Sequence, residues 1–443
     1  MLKTFRLGGI HPKERKISAG KAIQPIAIPK QVVIPMSQHI GAPCQPIVKK
    51  GDKVKVGTQI GKSVGFVSAN IHSSVSGTVL KIDKALDSGG YKRDAVVING
   101  EGDEWEESID RSETIKKDCT LSQTEILNKI EQAGIVGMGG ATFPSHVKLT
   151  PPPGTTPEVL IINGVECEPY LTSDHALMTE KSEEILVGTT IVMKALNVNR
   201  AIIGIENNKK NAISGFKKLS KEYPNIEIQP LKVQYPQGGE KQLIDALLKR
   251  QVPSGSLPIS VGAVVQNVGT IFAVYEAVQK NKPLVERVVT ITGDHVSKPS
   301  NFLSRIGIPL NNLIDEAGGL PDGTGKIVSG GPMMGKALAS IEIPVTKGTS
   351  GVLIIPTIAA KRKVMSDCIR CTKCITVCPM GLNPTLLMNL TEYEVWDRAE
   401  LNYITDCIEC GSCSFTCPSH RPLLDYIKLG KVKVSTIIRT RKN

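Results

Sequence analysis

The pattern of apolar and polar positions changes several times along the 443 residues. Between 30 and 118, short alternating runs are separated by Gly and Asp, as in "QPIVKKGDKVKVGTQIG" (45–61) and "ANIHSSVSGTVLKID" (69–83). Such runs predict short strands in a small β module. From 119 to 285 the period alternates between that of a helix and that of a strand. "TLSQTEILNKIEQAG" (120–134) places apolar residues at helical spacing behind a Ser122–Glu125 capping box. "EVLIINGVECEP" (158–169) reads as a buried strand entering a loop, "SEEILVGTTIVMKALN" (182–197) as a helix and "RAIIGIENN" (200–208) as a strand. A further helix, the strand "IEIQPLKV" (226–233) and the helix "GEKQLIDALLKR" (239–250) continue the series. This order predicts a largely parallel sheet covered on both faces, with ligand loops at the carboxyl ends of its strands.

Residues 286–358 return to short strands with Gly and Pro turns, among them "GKIVSGGPMMGKAL" (325–338), and resemble a β-grasp module. The run 30–118 resembles a biotinyl/lipoyl-type sandwich. Those carriers hold a modified lysine at a hairpin tip; here that region reads "GFVSANIHSS" (65–74) without lysine, so a structural module is expected. The chain thus divides into an N-terminal extension (1–29), a lipoyl-like barrel sandwich (30–118), a Rossmann-like α/β domain (119–285), a β-grasp module (286–358), a cysteine-rich helical domain (359–430) and a basic tail (431–443). In the cysteine domain, Asn383 and Pro384 predict a helix starting between the two cysteine motifs.

Composition narrows the function. The formal charge is +12, from 54 basic and 42 acidic residues, and no acid follows Asp425. The C-terminal basic run is read as a solvated tail or as a contact with a membrane surface or partner. With only 4% aromatic residues and no basic–aromatic interleaving, nucleic acid is excluded. The best membrane-span candidate, 257–278, is interrupted by Gln266, Asn267 and Glu276, so no transmembrane segment is expected. The N-terminus has no apolar signal region, which points to the cytosol, where clustered thiols hold metal. The seven histidines are scattered and read as structural.

Eight of eleven cysteines lie in "CIRCTKCITVCP" (368–379) and "CIECGSCSFTCP" (407–418). Each is C-x₂-C-x₂-C-x₃-C-P, whose first three thiolates wrap one Fe₄S₄ cube while the fourth ligates the other. That assigns Cys368, Cys371, Cys374 and Cys417 to one cluster, and Cys378, Cys407, Cys410 and Cys413 to the second. Structural zinc has no use for a third closely spaced cysteine. Two clusters make a wire, and a wire needs a donor and an acceptor.

The donor is sought in "GIVGMGGATFPSHVKL" (134–149), a glycine-rich turn that lets backbone N–H groups approach a phosphate or a flavin ring beside Lys148. Its spacing does not match the dinucleotide fingerprint. The turn resembles the flavin loop of the NADH-oxidising subunit of respiratory complex I, G-x-G-G-A-G-F-P-x-x-x-K. "NGVECEP" (163–169), "YPQGGEKQL" (235–243) and "QNVGT" (266–270) follow that family's order over roughly 134–275, and "SGGPMMG" (329–335) extends the likeness. The sequence departs from the pattern at Met138, Thr142 and Val165.

The order of all modules, opened by "FRLGGIHPKERK" (5–16), is similar to the RnfC component of the Rnf ion-translocating ferredoxin:NAD oxidoreductase complexes. That resemblance implies that Gly137, Gly139, Gly140, Lys148, Asn163 and Glu166 hold FMN, with Glu240, Asn267 and Thr270 lining the pocket. Phe143 and Glu168 would face NADH. It implies an NAD-linked electron-input subunit with FMN and two [4Fe–4S] clusters, docked peripherally on the cytoplasmic face beside the other members of the complex and ferredoxin. The alternatives are a soluble cobalamin reductase of diol-metabolising microcompartments, with the same module order, and a relay that has lost its flavin.

Overall fold

The computed structural model describes residues 2–442; Met1 and Asn443, the outer ends of the expected extension and tail, lie outside the described residues, as does the Lys442 side chain. At its centre is a four-stranded parallel sheet in the order Ile226–Leu231, Ala201–Glu206, Val159–Gly164, Ala263–Asn267. The first strand in sequence, Val159–Gly164, is nearly all apolar and buried, as a strand covered on both faces must be. One face carries the helices Gln123–Gln132, Ser182–Leu196, Lys210–Leu219 and Val268–Gln279 over a large apolar core; Glu240–Leu248 covers the other. The expected capping box forms at Ser122, whose hydroxyl accepts from the Glu125 backbone while Glu125 returns the bond.

The strand Ala263–Asn267 and the helix Val268–Gln279 are additions to the expected series, because hydropathy presents 257–278 only as a candidate membrane span. Together they change the topology. The sheet grows from Val159–Gly164 to one side through two strands, then to the other through Ala263–Asn267. The crevice between these two strands is therefore the topological switch point, where ligands of open α/β sheets bind.

The other modules take the expected classes. The sandwich stacks a four-stranded sheet (Gln31–Pro35, Lys92–Gly100, Gly77–Leu86, Lys53–Val54) on a three-stranded one (Gln45–Pro46, Gln59–Lys62, Ile71–His72) around Val32, Ile34, Ile60 and Ile98. The β-grasp module is a mixed sheet with the helix Leu310–Glu316 packed on it. In the cysteine domain Asn383 caps Pro384–Glu392, its side chain accepting from the Leu386 N–H.

Two expected boundaries differ. The N-terminal extension is a belt tying three modules together. Phe5 is buried in the core under Glu240–Leu248, and Arg6 pairs with Asp245 at 2.6 Å. Ile10 and Tyr235 exchange backbone hydrogen bonds. Ile23–Pro25 then adds a parallel strand to the β-grasp sheet. Gly8, at φ +72°, lies so close to the Cys378 carbonyl that a Cβ would stand 2.6 Å from it; only glycine fits. The expected basic tail is the second half of one helix, Leu423–Lys442. Val434 is fully buried, Lys431 donates to the Cys407 carbonyl, and Arg441 pairs with Asp397 and Glu400. The tail folds because an apolar stripe, hidden among its basic residues, packs on Pro384–Glu392.

A buried lysine joins the sandwich, α/β and β-grasp modules. Lys347 Nζ donates to the carbonyls of Asn70 and Gly134, each at 2.6 Å, and burial pulls its pKa down to about 7 from 10.5. The unfolded chain then binds more protons at this site between these two values, so stability should rise with pH across that window. Lys347→Met should flatten this rise in denaturant midpoint. At any pH it should also destabilise by about 1–3 kcal/mol for each carbonyl left bare.

Candidate functional site: a glycine loop beside a cavity of thiols

The glycine turn follows the helix Gln123–Gln132 and closes on itself through the Gly137 N–H to the Phe143 carbonyl, 2.9 Å. It lies over the carboxyl end of Ala263–Asn267. A Cβ at Gly139 would meet the Asn267 amide at 2.7 Å, so the backbone approaches that side chain as only glycine allows, while Gly140 faces open space. Asn267 and Asn163 are register partners at the ends of adjacent strands. The Asn163 amide donates to the Gly238 carbonyl and that of Asn267 to Asp174. Lys148 meets Glu240, at the start of Glu240–Leu248, at 2.6 Å. Gly139, Gly140, Asn163, Asn267, Lys148 and Glu240 are thus gathered around the switch point: open backbone, amide groups and one cation, a donor set that suits a phosphate-bearing ring ligand.

Three of the expected ligand residues also make contacts that brace the frame. Thr270 is fully buried; its hydroxyl accepts from the Met138 N–H at 2.9 Å. Glu166, at φ +47°, turns its carboxylate onto the N–H groups of Asp174 and His175, first-turn donors of Ser173–Glu180 that lack a partner within the helix. Glu168 accepts from the N–H groups of Met333 and Met334, clamping the "SGGPMMG" turn of the β-grasp module, and burial raises its pKa to about 7. Phe143 is half-buried on the glycine loop.

Other residues at the site were not assigned to it from the sequence. Arg287, from the β-grasp module, is buried and donates to the carbonyls of Lys347, Thr349 and Met138, bringing a guanidinium against the glycine loop. Asp174, beside Asn267, has its pKa raised to about 6 by burial and then by Glu166. Lys16 of the belt donates to the carbonyls of Glu166, Glu168 and Leu171. A loop of this kind needs distant donors, and separation in sequence hides them.

Cys378, Cys407, Cys410 and Cys413 line one cavity of about 20 Å³, walled by Leu387, Leu424 and Ile427. Burial lifts the Cys407 thiol to about 11 and Cys413 to about 12, so without iron these are neutral thiols, and metal binding would release their protons. Cys374 and Cys417 pack near each other beside Met388 and Leu423, while Cys368 and Cys371 are exposed. The cavity touches the α/β domain. Tyr235, one residue ahead of the "PQGGE" loop, is 1% exposed and its hydroxyl donates to the Cys410 carbonyl at 2.8 Å. Ile10, Cys167 and Met333 complete that contact. Burial also raises the Cys167 thiol, so it is an inert packing group.

Comparison with known proteins follows the same modular order. Residues 3–103 match the RnfC barrel sandwich hybrid domain, 130–276 the Nuo51 FMN-binding domain, 288–337 the SLBB domain and 367–421 the 4Fe-4S dicluster domain. The C component of the "Proton-translocating ferredoxin:NAD(+) oxidoreductase complex" of Clostridium ljungdahlii is 48% identical over 91% of this chain and 88% of its own. Its "Na(+)-translocating" counterpart of Acetobacterium woodii is 44% identical over 97% of both. An NAD+-reducing [NiFe]-hydrogenase shares the fold at TM-score 0.50 and 18% identity, over 71% of this chain and 63% of that one. Among the described residues no helix is long and apolar enough to cross a membrane. With identity of this extent running through all the modules, the chain belongs to the RnfC family, the C components of the Rnf-type ion-translocating ferredoxin:NAD(+) oxidoreductase complexes.

Proposed function

We propose that this chain is the peripheral electron-input subunit of such a complex, on the cytoplasmic face of the membrane, passing electrons between NADH and membrane partners. The observation that carries the reading is one contact: the loop bordering the flavin-type pocket is bonded, through Tyr235, to the backbone of a cysteine lining the thiol cavity. Two redox sites built this close serve transfer between them.

The residues present fit both groups. The open approach at Gly139 and Gly140, with Lys148 at the rim, suits FMN. Four thiols around an apolar-walled cavity suit a cube. FMN, when bound, supplies the change from two-electron hydride chemistry to one-electron transfer, and the clusters conduct. The protein's own part is placement. Asn163, Asn267 and the glycine backbone would orient the ring; Glu166, Thr270 and Arg287 keep that frame in place. Phe143 lies at the loop's edge as the apolar face for a nicotinamide nucleotide, while Glu168 holds the β-grasp turn against the pocket. Cys368, Cys371, Cys374 and Cys417 hold the other cluster. The two relatives named as members of translocating complexes favour this reading over a soluble cobalamin reductase.

Anaerobically purified protein, resupplied with FMN, should lose visible absorbance on NADH titration. Absence of bleaching in cluster-replete protein favours a flavin-free relay and rejects this function. Cys368→Ser and Cys378→Ser should each remove about half of the iron and sulfide, affecting different clusters by electron paramagnetic resonance. Loss of the same signal in both variants would refute the crossed ligand sets. Lys148→Met should weaken FMN binding about tenfold, since it removes a charge-assisted contact and leaves the Glu240 carboxylate unpaired at the pocket. Equilibrium fluorescence titration of FMN measures it.

A further inference from the structure

The two thiol sets are not equivalent. Cys378, Cys410 and Cys413 are buried, and Cys410 packs against Ile10 and Tyr235, but Cys368 and Cys371 stand on the outer surface. Every residue from 361 to 373 is exposed, although the segment is anchored to the second motif by the Ser366 N–H to the Ser419 carbonyl. Exposed apolar side chains accompany the thiols: Val364 (89%), Ile369 (68%) and Phe415 (57%). The same segment carries Lys361, Arg362, Lys363, Arg370 and Lys373 against one acid, Asp367. Among the described residues only Arg362 of these five has an ion-pair partner, Asp425 at 2.8 Å. On the C-terminal helix, Lys431 and Arg441 are engaged by Glu409, Asp397 and Glu400.

We propose that this face is the electron port of the subunit. Its partner is a one-electron carrier domain of another subunit, presenting carboxylates around an apolar centre. The proposal rests on the reading of the eight cysteines as ligands of two clusters. An apolar centre with a charged rim is the anatomy of a protein–protein contact, and the basic rim steers an acidic partner and sets its orientation. A lipid surface would satisfy the lysines but offers nothing to accept an electron from a cluster held by Cys368 and Cys371. Each transfer moves one electron, with no bond made and no proton moved, so the two electrons of one hydride cross this face in two successive steps.

The test uses the assembled complex with Lys361→Glu, Lys363→Glu, Arg370→Glu and Lys373→Glu combined. Rapid mixing with NADH should reduce the subunit's own flavin and clusters at the wild-type rate. Onward reduction of the other subunits should slow about tenfold or more and lose its wild-type dependence on salt. Wild-type onward rates in the variant overturn the port. So does loss of binding to anionic phosphatidylserine vesicles while onward transfer is unchanged. Failure of NADH to reduce the wild-type subunit itself would instead reject the underlying function. Hydroxyl-radical footprinting of the unmodified chain gives a second readout. Phe415 and Met365 should be protected in the complex relative to the isolated subunit, and equal labelling overturns the proposal.

Discussion

The hydrogen bond from the Tyr235 hydroxyl to the Cys410 carbonyl sets the geometry on which everything else depends. Electron transfer between two protein-held groups is governed by their separation, so a flexible hinge between the flavin-type pocket and the cysteine domain would defeat both. Tyr235 is pinned on two sides. Its ring and hydroxyl meet the cysteine loop, and its backbone pairs in both directions with Ile10 of the N-terminal belt. The belt presses Gly8 onto Cys378 and donates the Gly9 N–H to Val377. The cysteine domain is therefore held to the α/β domain by two segments, distant in sequence, that hold each other.

The glycine loop is fixed by the same kind of long-range bond. Its backbone is held from beneath by Thr270 at the Met138 N–H and from the side by Arg287 at the Met138 carbonyl. At Met138 the loop receives a buried guanidinium from another module. A buried cation without a carboxylate in contact is costly, and backbone carbonyls meet that cost at Arg287. The β-grasp module thus acts as a brace, which also explains why Glu168 is turned towards it.

The same frame gives the wire its direction. Cys410 of one thiol set packs against Tyr235, Ile10 and Met333, while Cys368 and Cys371 of the other face solvent beside the exposed Val364 and Ile369. The polarity comes from which side of the cysteine domain the belt covers. The two motifs themselves are nearly interchangeable in sequence.

Several features were legible in the sequence because they rest on local rules. Ligand spacing in the two cysteine motifs follows from a tight loop, the Ser122 and Asn383 caps from hydrogen bonds within a turn, and the α/β alternation from hydrophobic period. Motif order also located the flavin-type loop. What the sequence could not determine lies in contacts between distant segments. Thr270 and Glu166 sit in the expected motifs, but only packing shows which backbone N–H groups they accept from. The strand Ala263–Asn267 lies within an apolar run long enough to suggest a membrane segment, and its partner strand lies a hundred residues earlier. The final helix looks like a charged tail because its buried stripe is thin and needs Pro384–Glu392 to become a core. Spacing along the chain decides which atoms a short loop can gather; only the folded surface decides what each gathered group then faces.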